Sequence, residues 1–138
     1  MPGAGKSKAP RASPGRGTSW ERLCQDALRL PGVETGTSYR TPALHVRKKL
    51  LARLREDGET VAVRVDFLDR EVLLEADPAA FFLTDHYRAY PWILLRLDEV
   101  RHASALEVLE RAWRAVAPRR LVASLTGARA SPSARRIK

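Results

Sequence analysis

The chain holds a single cysteine, Cys24, in 138 residues, so no internal disulfide can brace it. That usage suits a reducing compartment, and a cytoplasmic protein is expected. No run of about 18 apolar residues occurs, so no membrane-spanning segment is expected. The basic N-terminus is not followed by the apolar stretch of a secretory signal. Three histidines, His45, His86 and His102, lie scattered without metal-ligand spacing, and no metal or cofactor is expected. Gly5-Lys6-Ser7 has the letters that close a phosphate-binding loop, but the earlier glycine and preceding strand that the motif needs are missing. Acidic residues are absent from both ends. Residues 1–19 carry Lys6, Lys8, Arg11 and Arg16 without an acid, and residues 119–138 carry Arg119, Arg120, Arg129, Arg135, Arg136 and Lys138 without an acid. These two stretches account for the whole net charge of +9 and leave the middle close to neutral. The high pI therefore describes the tails rather than the domain.

Length and a hydrophobic content of 44% suit one domain that needs neither disulfide nor metal. Its expected extent is residues 18–122, between a disordered basic N-terminal tail (1–17) and a basic C-terminal tail (123–138) whose last part, 127–138, also reads as disordered. Leu121, Val122 and Leu125 could dock on the body.

Thr18 and Glu21 stand at capping-box spacing before Trp20, Leu23, Cys24, Ala27 and Leu28, which share one helical face. Pro31-Gly32 ends that helix. If Asp57-Gly58 forms a two-residue turn, Leu54 faces Val61, Ala52 faces Val63 and Leu50 faces Val65, all apolar on one side. Arg53, Arg55 and Arg64 then share the outer side with Leu51. A three-residue loop, Arg47-Lys48-Lys49, sets Val46 opposite Leu50 and Leu44 opposite Ala52, whereas a two-residue loop would turn Arg47 toward the core. Residues 69–76 read as a helix with Val72, Leu73 and Ala76 inward. Phe81–Leu83 and Trp92–Leu97 read as strands. Ser104 and Glu107 have capping-box spacing at a last helix that buries Leu106, Leu109, Trp113 and Val116. The order α-β-β-β-α-β-β-α predicts an α+β fold with helices on one face of an antiparallel sheet.

Within the near-neutral middle, Ser38–Arg55 holds Arg40, Arg47, Lys48, Lys49, Arg53 and Arg55 and no acid. The hairpin pattern adds Arg64 to this basic side, and Trp92 and Arg96 join it if the sheet is continuous. Basic side chains beside an aromatic suit phosphate contact and base stacking. The competing explanation is a solvated hairpin whose charges keep a sheet edge from aggregating. A second cluster, His86-Tyr87-Arg88-Ala89-Tyr90-Pro91-Trp92, places ionisable and aromatic groups in a loop. Asp85-His86 alone supplies neither nucleophile nor metal, so a non-enzymatic protein is expected. Cys24 falls on a buried helical stripe, and Asp66, Asp69 and Asp77 flank the middle helix as caps.

The succession Leu30-Pro31-Gly32-Val33-Glu34, Ser38-Tyr39, Thr41-Pro42-Ala43, Lys49-Leu50-Leu51-Ala52-Arg53-Leu54, Phe82-Leu83-Thr84-Asp85-His86-Tyr87-Arg88, Ala112-Trp113 and Ala117-Pro118-Arg119-Arg120-Leu121 resembles the MmcQ/YjbR family of small bacterial proteins. The resemblance spans about Trp20 to Leu121. It implies a CyaY-like or double-wing α+β fold and a DNA-binding role, with Lys49, His86, Tyr87, Arg88 and Trp92 at pattern positions. The family commonly has glycine where this chain has Lys48. Two functions follow as expectations. One is a nucleic-acid-binding module using Arg40, Arg47, Lys48, Lys49, Arg53, Arg55, Arg64, Arg88 and Trp92, with DNA or another nucleic acid as the partner and a monomer favoured. The other is a regulatory module that takes a small ligand or a protein in a pocket at His86, Tyr87 and Arg88.

Overall fold

The computed structural model describes residues 16–129. The expected disorder of residues 1–15, the Gly5-Lys6-Ser7 stretch and residues 130–138 lie outside that range. Eleven elements follow one another: α1 (Trp20–Ala27), β1 (Val33–Ser38), β2 (Thr41–Val46), β3 (Lys49–Leu54), β4 (Thr60–Arg64), α2 (Phe67–Ala76), β5 (Phe81–Phe82), α3 (Asp85–Arg88), β6 (Trp92–Arg96), α4 (His102–Val116) and α5 (Arg119–Arg129). The six strands form one antiparallel sheet in the order β1-β2-β3-β4-β6-β5. The α+β expectation holds, with three additions: strand β1, the one-turn helix α3, and α5, which continues seven residues beyond the expected domain end.

The core lies between the sheet and helices α1, α4 and α5. Leu23, Leu44, Val46, Leu51, Val61, Val63, Ile93, Leu95, Leu109 and Trp113 are fully enclosed there. Leu121, Val122 and Leu125 of α5 pack against its edge as expected. Trp113 donates its indole N–H to Pro31 O at 2.8 Å, which ties α4 to the turn after α1. Gly32 in that turn has φ +82, which favours glycine, and a Cβ there would lie 2.7 Å from Leu121 Cδ1 and push that side chain aside.

The register of β3 and β4 is the expected one: Leu54 pairs with Val61, Arg53 with Ala62 and Ala52 with Val63. The turn is not two-residue. Gly58 N–H donates to Arg55 O at 2.9 Å, and the Asp57 carboxylate accepts from Glu59 N, Thr60 N and Thr60 Oγ1. Burial opposes ionisation of Asp57, but these bonds outweigh it and hold the carboxyl below its ordinary range.

The loop between β2 and β3 corrects the sequence reading. Val46 pairs with Lys49, so Arg47-Lys48 is a two-residue turn. Leu44 nevertheless pairs with Ala52, because His45 pairs with Leu50 and Leu51 is left over as a β-bulge. The bulge turns Leu51 into the core and Leu50 to the outer face, the reverse of the expected alternation. Period-2 reasoning failed here because one inserted residue flips every side chain before it.

Helix boundaries shift for local reasons. Ser19, not Thr18, caps α1 by accepting from Arg22 N at 3.1 Å. Asp66 caps α2 by accepting from Asp69 N at 2.7 Å. Helix α4 begins at His102, ahead of Ser104, and Arg101 at its cap makes no side-chain capping bond. Helix α2 is rotated from expectation: Val72 and Ala76 are exposed and Arg70 is buried. Arg16 and Gly17, assigned to the tail by sequence, are fixed. Arg16 pairs with Asp77 at 3.0 Å and with Glu99 at 3.7 Å, and Gly17 N–H donates to Val100 O at 2.8 Å.

Thr18 and His102 close this end of the molecule. His102 Nε2 donates to Asp26 Oδ2 at 2.7 Å, and its Nδ1 shares a 2.7 Å hydrogen bond with the Thr18 hydroxyl. The bond from His102, aided by Arg29 and Arg22, holds Asp26 below the usual carboxylate range. A lowered folded-state value means the carboxylate's contribution is complete above its unfolded value, about pH 4, and is lost as pH falls through the folded one. Melting temperature measured against pH is therefore expected to fall below about pH 4, and Asp26→Asn to remove the part of that fall due to this bond.

Candidate nucleic-acid interface

Strand alternation puts Arg53, Ala62, Arg64, Trp92 and Leu94 on the outer face of the sheet, where Ala62 and Leu94 form a small second core with Tyr87. Helix α3 and the segment after it cross this face. Together they make a cleft of about 530 Å³ lined by Tyr39, Leu50, Arg53, Glu56, Ala62, His86, Tyr87, Tyr90 and Trp92. The His86 and Tyr87 rings meet edge to face at 4.9 Å.

The wall is held by a residue that the sequence reading passed over. Arg70 of α2 is 5% exposed. Its Nη1 donates to Tyr90 O at 2.7 Å and more loosely to Trp92 O and Tyr87 O, while Nη2 donates to Arg88 O at 3.0 Å. One side chain thus adds charged hydrogen bonds to four carbonyls that span α3, the turn after it and the start of β6. Its guanidinium also lies 4.7 Å from the centre of the Phe67 ring. The available signal was its spacing: Arg70, Leu73 and Leu74 stand at i, i+3 and i+4 on the half-buried stripe of α2.

The basic residues expected to form one phosphate-facing surface divide into two sets. Arg53, Arg55 and Arg64 are packed into the face. Arg53 lies 5.0 Å from the Tyr39 ring centre, Arg55 5.7 Å from Tyr87 and Arg64 5.1 Å from Trp92. Arg53 Nη1 also donates to Thr41 Oγ1 at 3.0 Å and meets Glu56 Oε2 at 3.5 Å, and Arg64 Nε donates to Leu50 O. Arg40, Arg47, Lys48 and Lys49 are exposed at turns, and among the described residues none of them pairs with a carboxylate. Arg88 does not line the cleft. Its side chain points to solvent and reaches Asp85 at 3.5 Å, and only its carbonyl serves the site. His86, Tyr87 and Trp92 do line it.

Both exposed basic turns carry backbone strain. Tyr39 and Arg40 have φ of 53° and 69°, and Arg47 and Lys48 have 50° and 73°. Two-residue turns with both central φ positive favour Asn and Gly. A residue with a Cβ costs about 1–2 kcal/mol in that region. Lys48 sits where the family resemblance leads one to expect glycine, and its φ shows why glycine suits the position.

Residues 28–115 match the family described as YjbR. The chain belongs to the YjbR family. Uncharacterised proteins of Mycobacterium bovis and Mycobacterium tuberculosis are 38% identical over 66 residues, covering 47% of this chain and 51% of theirs. The chain thus spans about half the length of these curated relatives. A crystal structure of a Deinococcus radiodurans protein with a DUF419 domain superposes with a TM-score of 0.61 at 19% identity, covering 75% of this chain and 80% of that one. That likeness speaks to the YjbR fold.

Other groups do not converge on chemistry. Among the described residues no three His, Cys, Asp or Glu side chains gather as a metal site, and no helix is long and apolar enough to cross a membrane. Burial, reinforced by Glu21, pushes the Cys24 thiol up to about 11, so it is a poor nucleophile at neutral pH. The structural weight falls on Arg70. Arg70→Met is expected to destabilise the fold by about 2 kcal/mol or more, since several carbonyls lose a charged donor. Denaturant unfolding measures this, and a shift of Trp92 emission in the folded state would report the loosened wall.

Proposed function

We propose that this YjbR protein is a non-enzymatic nucleic-acid-binding module whose outer sheet face takes an unpaired stretch of DNA or RNA. The observation that carries the reading is the alignment, on one face, of three guanidinium–ring pairs beside an aromatic cleft. Exposed basic turns flank it. Arg40 stands at the end where Tyr39 meets Arg53, and Arg47, Lys48 and Lys49 stand at the end where Trp92 meets Arg64. Stacking on rings and phosphate neutralisation by surrounding cations is how unpaired strands are held. A cleft of about 530 Å³ can take an unpaired base. The backbone strain at the turns also fits, because it puts cationic side chains where glycine or asparagine would be easier.

The same cleft supports a second reading. Arg53, Glu56, His86 and Tyr87 converge in a volume within the ~300–1,000 Å³ of small-ligand sites. A thermal-shift screen against nucleotides and acidic metabolites separates the two, since a small-ligand module is stabilised by one of them without any oligonucleotide.

Binding of a labelled single strand to the full chain, followed against salt, tests the first reading. Affinity should fall with a log–log slope of about −0.7 per phosphate neutralised. Replacing Arg47, Lys48 and Lys49 together by Ala should weaken binding and flatten the slope by up to about 2. Lys48→Gly should weaken binding while stabilising the fold by about 1 kcal/mol, because glycine relieves the positive φ. Unchanged binding in both variants, with loss only when Lys6, Lys8 and Arg11 are replaced by Gln, would assign the activity to the tail instead.

A further inference from the structure

Glu56 is out of keeping with the face it occupies. It lines the cleft beside Arg53, in the β3–β4 turn at the end of the sheet that also carries Arg40. A carboxylate there repels a phosphate backbone, so it opposes binding by any partner that offers only phosphates. The adjacent Asp57 is spent on the turn, accepting three hydrogen bonds from Glu59 and Thr60. Glu56 has no such duty. Its side chain is 65% exposed at the cleft rim, and its ion-pair partner among the described residues is Arg53 Nη1 at 3.5 Å. A bond from its own main-chain N–H, with the neighbouring Arg53, keeps the carboxyl below its ordinary range, so it presents acceptors only.

We infer that the cleft reads guanine in an unpaired strand, Glu56 accepting from N1–H and the 2-amino group and Arg53 donating to O6. This rests on the nucleic-acid reading above and names the base that reading leaves open. An ionised carboxylate beside a guanidinium offers two acceptors and then a donor. The complementary edge has two adjacent donors followed by an acceptor, and guanine has that order on its Watson–Crick edge. Adenine puts a lone pair at N1 and cytosine at N3, each facing the carboxylate. Thymine and uracil have one N–H between two carbonyls. Reading of that edge requires an unpaired base. Tyr39, 78% exposed, and the half-buried Trp92 leave ring surface on which the base can stack.

The test uses the full-length protein and a short oligo-dT strand whose central position is dG, dA, dC, dT or deoxyinosine, at one salt concentration. The dG strand is expected to bind about tenfold more tightly than the others, the size of a good bidentate base contact. Deoxyinosine, which lacks the 2-amino donor, should lose most of that advantage, and this comparison needs no protein variant. Glu56→Gln should level the bases. Equal affinity for all five strands, with the expected salt dependence intact, would overturn the guanine assignment and leave the nucleic-acid reading standing. A guanine preference that survives Glu56→Gln would also overturn it. Failure of every strand to bind would overturn both.

Discussion

The guanidinium of Arg70 is buried between α2 and the segment from Tyr87 to Trp92, and it meets main-chain oxygens rather than a carboxylate. A buried cation without a counter-ion is costly unless dipoles replace its water. Here the carbonyls of Tyr87, Arg88, Tyr90 and Trp92 do so, and each gains a charged donor beside any main-chain donor it has. Nη1 and Nη2 are satisfied in this way, while the buried Nε has no partner among the described residues. The consequence is geometric: the segment bearing His86, Tyr87 and Tyr90 is fixed across the outer sheet face, and the space beneath it becomes a cleft rather than a bare sheet.

The bulge at Leu51 completes the same surface from the other side. Without it, pairing Leu44 with Ala52 would set Leu50 opposite Val46 on the core side and turn Leu51 outward, and the loop would need three residues. With it, Leu50 lines the cleft floor and two strongly basic residues stand at the tip in a conformation that glycine would adopt more cheaply. The YjbR fold here accepts strain at both turns and sets three arginines against three aromatic rings on the face between them. Stability favours simpler choices at those positions, and the proposed binding role offers a reason for the strain.

Much of this was legible from the residues. The apolar pairs Leu54–Val61 and Ala52–Val63 fixed the β3–β4 register, and the His86–Trp92 cluster pointed to the cleft. The polarity of charge between the tails, the hairpin and the rest of the domain was also readable by position. Other features had no one-dimensional signature. A bulge is invisible to period-2 reasoning, so Leu50 and Leu51 were exchanged. Strand β1, with Gly36 and four polar residues among its six, lacks the apolar alternation by which a half-buried strand is recognised. Arg70 reads as a solvated helix residue until its carbonyl partners, 17 to 22 positions away, are brought to it by the fold. Arg88 reads as a site residue by its neighbours, yet helix α3 points it outward.

The central claim is that the outer cleft, and not the basic tails, engages an unpaired strand. Amide chemical-shift mapping of the isotopically labelled full chain, titrated with a short single strand at moderate salt, tests it most directly. The predicted result is saturable shifts at Tyr39, Leu50, Arg53, Glu56, Tyr87 and Trp92. Shifts confined to residues 1–15 and 130–138, with those cleft amides unmoved, would contradict it.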